Sequence, residues 1–342
     1  MVKYLLLPVT IAYNFICRIN KCITRAKKLY APVISVGNIT WGGSGKTPMV
    51  VETAKYVQHL GKRPVVLSRG YGRKNKKEKN IVVRDNENIL ADISSAGDEP
   101  YMMAQQLTCP IIVGADRYKS AELARKFNPD VFILDDGFQH WKLKRDLDIV
   151  CVNSLNPFGN GMLIPSGILR EAKSALKRAD LVVLTNGFLC DENKLNYLRN
   201  EITAVTGKEA AEVYVGNLYV TNMADGKEYK DLDSLKEKYS FVLITGIGSP
   251  QNFINTALNL KFKIKDKFIF NDHHKYSDSE IFDVLNNLKE DERIITTAKD
   301  AVKIKDAVDV NVQNRIYILN ISVCFAAGRE EFEKKIKDLF LN

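Results

Sequence analysis

The chain has 342 residues, 45% hydrophobic and 27% charged, an ordinary soluble globular composition with room for two domains and a sizeable core. Its net charge of +9 is unevenly placed: residues 1–30 carry six basic side chains and no acidic one, residues 62–84 carry nine against Glu78 alone, and these +6 and +8 leave the remainder at −5. Two localised anionic partners fit that distribution, and a nucleic-acid groove running across the whole surface does not. Six cysteines (Cys17, Cys22, Cys109, Cys151, Cys190, Cys324) contain no C-x-x-C pair, so they read as reduced thiols of a cytosolic compartment, not as a disulfide framework or zinc site.

The first 30 residues predict an amphipathic helix. Residues 4–17 are mostly apolar, but Pro8, Thr10 and Asn14 interrupt them and the stretch is short for a span of ~20 residues. No small-residue cleavage site follows. Leu5, Val9, Ala12, Ile16, Ile19, Ile23, Ala26 and Tyr30 step by four and three, while Lys3, Arg18, Lys21, Arg25 and Lys28 step along the other side. A basic helix of this kind suits an anionic membrane surface. The alternative is a helix packed on the protein's own core with its basic face in water.

Next, the β-branched run Val33-Ile34-Ser35-Val36 enters Gly37-Asn38-Ile39-Thr40-Trp41-Gly42-Gly43-Ser44-Gly45-Lys46-Thr47, and Pro48 to His59 has helical character. Strand, glycine-rich turn and helix form the context of a phosphate-binding loop. Backbone N–H groups of Gly42, Gly43, Ser44 and Gly45 would approach a polyphosphate, Lys46 would reach its outer phosphates, and Thr47 would hold Mg²⁺. Thr40 stands where the usual motif has glycine.

A second strand at 63–68 runs into Arg69-Gly70-Tyr71-Gly72-Arg73, a basic loop where a parallel strand ends, the edge that carries ligands in open α/β sheets. The lysines at 74–79 read as a solvated charge run. Gly97-Asp98-Glu99-Pro100 precedes a helix at 100–107, so Asp98 and Glu99 serve either as helix caps or as reacting groups. After a strand at 110–114 and a helix opened by Asp116-Arg117-Tyr118, Val131-Phe132-Ile133-Leu134 leads into Asp135 and Asp136. A buried strand delivering a carboxylate is the partner motif of a phosphate loop, and on a continuing strand the two aspartates would point to opposite sides and do different jobs.

Further strands at 147–152 and 181–185 complete a doubly wound, mainly parallel α/β sheet of the P-loop type. We place this domain at residues 31–207, after the helix of 1–30. An extended connector with hairpin character follows at 208–229, then a smaller α/β domain at 230–342. There, Gly246-Ile247-Gly248 reads as a tight turn, and His273-His274 as hydrogen-bonding groups, not metal ligands.

Taken together, Ser35 to Thr40 with Gly42 to Pro48, Ser68-Arg69-Gly70-Tyr71-Gly72, Gly97-Asp98-Glu99-Pro100 and Asp135-Asp136-Gly137-Phe138-Gln139-His140 resemble the tetraacyldisaccharide 4′-kinase (lipid A 4′-kinase) family. Ile168-Leu169-Arg170-Glu171, Thr245 to Gly248, Asp272-His273 and Lys299-Asp300-Ala301-Val302-Lys303 extend the match through the chain, with Ala298 where the family often has glutamate. The resemblance implies transfer of the ATP γ-phosphate, with Mg²⁺, to the 4′-hydroxyl of an acylated glucosamine disaccharide 1-phosphate at the cytoplasmic face of the bacterial inner membrane. It implies that Asp98 and His273 activate the acceptor hydroxyl, that Lys46 and Thr47 bind phosphates and Mg²⁺, and that Asp135 and Asp136 lie in the second metal motif. Arg117 would line the same cleft on the nucleotide side, Glu171 near the metal, and Arg69, Tyr71, Gln139, His140 and Arg170 toward the substrate. Neither a nucleic acid nor an obligate protein partner is expected. Two other readings stand beside it: a kinase of the same fold for a soluble acceptor, and a GTP switch or metal-chaperone ATPase, whose guanine-reading motif Thr297-Ala298-Lys299-Asp300 misses by one position.

Overall fold

The computed structural model describes residues 6–71, 73, 79–248, 250–272, 274–305 and 307–341. His273, Lys3, Leu5, Gly72 and residues 74–78 of the basic loop therefore lie outside the described residues.

The amino-terminal part holds β1 (Val33–Gly37), β2 (Pro64–Ser68), β3 (Asn80–Arg84), β4 (Ile111–Gly114), β5 (Val131–Asp135), β6 (Leu147–Asn153) and β7 (Leu181–Thr185). They lie in the order β7-β6-β1-β5-β2-β4-β3, parallel except for the antiparallel edge β3. Helices α1 (Leu7–Ile23), α2 (Lys46–His59), α3 (Ile93–Ala96), α4 (Asp98–Gln106), α5 (Arg117–Leu123) and α6 (Glu192–Thr206) accompany them. Strands buried on both faces need apolar residues at every position, and the two-residue period then sorts them. Ile34, Val36, Val66 and Ile133 pack with Met49, Val50 and Ala54 of α2. Val33, Val65, Leu67, Phe132 and Leu134 face the opposite layer with Ala121 of α5. Each such side chain contributes ~1.5–3 kcal/mol by leaving water, so this sheet fixes its loops rigidly.

The carboxy-terminal part adds β8 (Ala211–Asn222), β9 (Glu228–Tyr229), α7 (Asp233–Lys238), β10 (Ser240–Thr245), α8 (Pro250–Asn259), β11 (Ile264–Ile269), α9 (Asp278–Asn287), β12 (Glu292–Thr297), α10 (Ala298–Lys305), β13 (Ile316–Ala327) and α11 (Arg329–Asp338). Where the sequence predicts an extended connector, β8 pairs in parallel with β7 and antiparallel with β13. Strands β12, β10 and β11 continue from β13, so one sheet of 13 strands runs through both halves of the chain.

The amino-terminal helix is shorter than the periodicity of residues 1–30 predicts. It ends at Ile23 because the next residues find better partners on the sheet domain. Lys27 exchanges backbone hydrogen bonds with Lys142 (2.9 Å) and Lys144 (2.8 Å), Leu29 is buried, and Tyr30 meets Phe132 edge-on at 5.3 Å. Within α1, Thr10 is the inward anchor: its hydroxyl lies 2.7 Å from that of Ser166, and both are buried. Ile11, Phe15, Ile16 and Ile23 are exposed, so the apolar side of the helix is turned outward and not onto the core. No described helix is long and apolar enough to cross a membrane.

Candidate active site

The turn after β1 is held from three sides. Asn38 donates its side-chain amide to Ser44 Oγ (2.7 Å), Asn153 at the end of β6 to the carbonyl of Gly43 (3.0 Å), and Thr185 at the end of β7 its hydroxyl to the carbonyl of Ser44 (3.1 Å). Gly45 has φ +74°, and a Cβ there would sit 2.9 Å from Thr185 Cγ2, so glycine alone fits. Thr40 replaces the motif glycine without strain: it bridges Leu169 in extended backbone, flanked by Trp41 N–H to Ile168 (2.6 Å) and Arg170 N–H to Ile39 (2.8 Å). The helix opened by Lys46 points its free N–H groups and positive dipole end at this turn.

Asp135 and Asp136 separate because β5 stops at Asp135 and the chain turns, with Asp136 at φ +53°. Asp135 is buried. Its Oδ2 accepts from Ser68 Oγ (2.7 Å), and among the described residues its Oδ1 is buried with no hydrogen-bond partner. Burial, reinforced by the charge of Glu99, pushes this carboxyl up to about 7. Burial acts on Asp136 in the same sense, but Lys46 Nζ at 3.6 Å and Arg170 Nη1 at 2.9 and 2.8 Å outweigh it and hold the group below the usual carboxylate range. The expected substrate contact Arg170 is thus engaged with Asp136. Buried Arg117 lies where the charges of Asp135, Asp136 and Arg69 act on it.

Glu171, expected near the metal, is held by Arg178 (3.0 Å) and by the side-chain amide of Gln139 (3.0 Å), which also donates to the carbonyl of Asn38 (2.8 Å). Arg178 lies over the rings of Phe138 (4.4 Å) and Trp141 (4.8 Å). Sequence reasoning misses Ser68 and Arg178 as site residues; the strand end before Arg69-Gly70 is the available signal for Ser68. His140 is neutral: desolvation, then the charge of Arg117, pulls its imidazole down to about 4. The unfolded chain, with its histidine near 6.5, therefore binds more protons than the folded one between pH ~6.5 and ~4, and stability falls as pH drops through that window. In His140→Gln this portion of the loss is expected to vanish, seen as a smaller drop in urea midpoint between pH 7 and pH 5 than the parent shows.

Asp98 opens α4. Gly97 before it has φ +89°, and its missing Cβ admits the carbonyl of Tyr71 to within 2.7 Å of that position. The basic loop after β2 and the Asp98 turn are thereby in contact, with Tyr71 exposed and Arg73 buried. From the carboxy-terminal half, α10 packs against α4, and Lys303 places Nζ 3.6 Å from Asp98 Oδ2. Beside it, Lys299 pairs with Asp272 at 3.3 Å. Among the described residues no cluster of three or more metal-ligating side chains occurs. A separate cleft of about 450 Å³ between β11 and α9 has an apolar wall that includes Phe268, Phe270 and Val284, and its four carboxylates (Asp266, Glu280, Asp283, Glu292) against Lys265 alone disfavour a polyphosphate.

A family model described as tetraacyldisaccharide-1-P 4′-kinase matches residues 2–341. The tetraacyldisaccharide 4′-kinase of Halothermothrix orenii is 41% identical over 323 residues, covering 89% of this chain and 83% of that protein. That of Elusimicrobium minutum is 34% identical over 311 residues, covering 88% and 80%. The crystal structure of LpxK from Aquifex aeolicus in complex with ATP is similar with a TM-score of 0.80 at 34% identity, covering 99% of this chain and 100% of that one.

Proposed function

The chain belongs to the tetraacyldisaccharide 4′-kinase family, and on that premise we propose how its cleft divides the work of phosphorylating an acylated glucosamine disaccharide 1-phosphate from ATP. The chain is an ATP-dependent kinase of lipid A biosynthesis. The observation that carries the assignment of parts is the contrast between the two aspartates. Asp136 is already neutralised by Lys46 and Arg170, whereas Asp135 keeps a buried oxygen with no hydrogen-bond partner among the described residues. Such an oxygen suits a hard divalent cation, so Asp135 and Thr47 are the residues that would hold Mg²⁺. When bound, Mg²⁺ neutralises charge on the β- and γ-phosphate oxygens.

The backbone of Gly42 to Gly45 cradles the phosphates, and Lys46 moves from Asp136 toward the γ-phosphoryl group. Asp98 accepts the proton of the 4′-hydroxyl as the oxygen attacks the γ-phosphorus and the bond to the bridging oxygen of ADP breaks. His273 orients that carboxylate. Arg117 supplies further positive charge on the phosphate side. Gln139 and Glu171 brace the cleft wall, and neutral His140, with Tyr71 and the Arg69–Arg73 loop, faces the acceptor. Phosphate transfer from labelled ATP to the acylated disaccharide in mixed micelles, compared with its deacylated counterpart, tests the acceptor class. Equal turnover of the two would favour a soluble acceptor instead.

The acceptor is a lipid, and α1 supplies a way to meet it at the cytoplasmic surface of the inner membrane. Its exposed Ile11, Phe15, Ile16 and Ile23 enter the interface while basic side chains of residues 1–30 meet anionic headgroups. Binding to anionic vesicles is expected to weaken as ionic strength rises, and Arg18, Lys21, Arg25 and Lys28 changed together to Gln should leave the protein in the supernatant. Unchanged sedimentation of that variant would assign the affinity to apolar insertion alone.

A further inference from the structure

We propose that Lys303 is a positioning residue for the reaction: a buried cation from the carboxy-terminal half that fixes the Asp98 carboxylate of the amino-terminal half. The inference rests on Asp98 being the proton acceptor. Lys303 lies in the stretch Asp300 to Ile304 of α10, every residue of which is buried, so the helix is covered all round there and a lysine is costly unless its charge is matched. Its ammonium lies between two carboxylates, 3.5 Å from Asp300 Oδ1 and 3.6 Å from Asp98 Oδ2, and 5.7 Å from the centre of the Tyr276 ring. Asp300 is fully buried and cannot swing. Its Oδ2 accepts the hydroxyls of Thr245 (3.0 Å) and Thr297 (2.8 Å), and its own N–H donates to Thr297 Oγ1 (3.1 Å).

A chain of fixed groups therefore runs from the ends of β10 and β12 through Asp300 and Lys303 to the first residue of α4. Without the cation, a carboxylate at a helix start is drawn back onto its own N–H groups, where it would cap the helix and leave the cleft. A nearby positive charge lowers the basicity of a carboxylate, but in a loose phosphoryl-transfer transition state the placement of the acceptor oxygen matters more than the strength of its base. Lys303 thus makes proton acceptance by one half of the chain depend on the seating of the other.

The test is a cycle of Lys303→Met and Asp98→Asn, with Lys303→Arg as the conservative variant, measured with ATP and acylated disaccharide in mixed micelles. Lys303→Met is expected to lower kcat by ~10- to 100-fold with KM for ATP nearly unchanged, Lys303→Arg to recover part of that, and Lys303→Met to add nothing on the Asp98→Asn background. If Lys303→Met folds and keeps parental kcat, or if its loss multiplies in full with that of Asp98→Asn, Lys303 merely clips α10 to α4 and the proposal is overturned. If Lys303→Met does not fold, Lys303→Arg is carried through the same cycle. A lowered kcat that adds nothing on the Asp98→Asn background then supports the proposal, and a parental kcat or a fully multiplying loss overturns it. Normal kcat in Asp98→Asn by itself removes the proton-acceptor assignment, a failure distinct from either result at Lys303.

Discussion

Lys46→Ala is expected to lower kcat by at least ~100-fold while the protein stays folded, because charge placed on the transferring phosphoryl group is among the largest single contributions to such reactions. The structure adds a reason for the lysine to be ready. Its ammonium rests 3.6 Å from Asp136, and the same carboxylate takes both a 2.9 Å and a 2.8 Å bond from Arg170. Asp136 therefore has a second cation when Lys46 moves to the nucleotide, and removing Lys46 leaves no uncompensated buried charge. The thermal midpoint of Lys46→Ala is accordingly expected near that of the parent, so that lost turnover is not lost folding. Near-normal turnover in this variant would contradict the assignment of the loop as the phosphate site.

The second large effect is at Asp98. Asp98→Ala is expected to cost ~10²–10⁴-fold in kcat, the usual contribution of a positioned proton acceptor, with KM for ATP nearly unchanged since the phosphate loop is untouched. His273, assigned by resemblance as its orienting partner, would act through the same proton. His273→Ala should therefore lower kcat in the same manner, and the double variant should be little worse than the poorer single. Were Asp98 only the cap of α4, its loss would appear as ~1 kcal/mol of stability, and the two losses in kcat would multiply.

What is legible in the sequence and what is hidden follow from range. The phosphate loop, Asp135 and the Gly97-Asp98 turn are readable because strand, turn and helix signals lie within a dozen residues of each chemical group. Apolar runs such as Val131 to Leu134 identify strands buried on both faces without any knowledge of their neighbours. The end of α1 at Ile23 is not readable, since helical spacing persists to Tyr30 and only backbone pairing of Lys27 with Lys142 and Lys144 interrupts it. Thr40 is a defect in the motif by sequence, and only its bridge to Leu169 explains it. The division of labour between Asp135 and Asp136 comes from a turn at φ +53° and from Ser68 and Arg170, which lie 67 and 34 residues away along the chain. Lys303 stands inside a recognised motif, yet its approach to Asp98 joins two halves of a continuous sheet that sequence periodicity divides at a connector.

Locating the new phosphate on the product tests the central claim most directly. After incubation of the protein with ATP, Mg²⁺ and acylated glucosamine disaccharide 1-phosphate in mixed micelles, a phosphorus–proton correlation spectrum shows which sugar proton couples to the added phosphomonoester. Coupling to the proton on C4′, absent when Lys46→Ala replaces the parent protein, is the predicted result. Coupling at another carbon, or no phosphate transfer to this acceptor by the folded parent protein, would contradict the account.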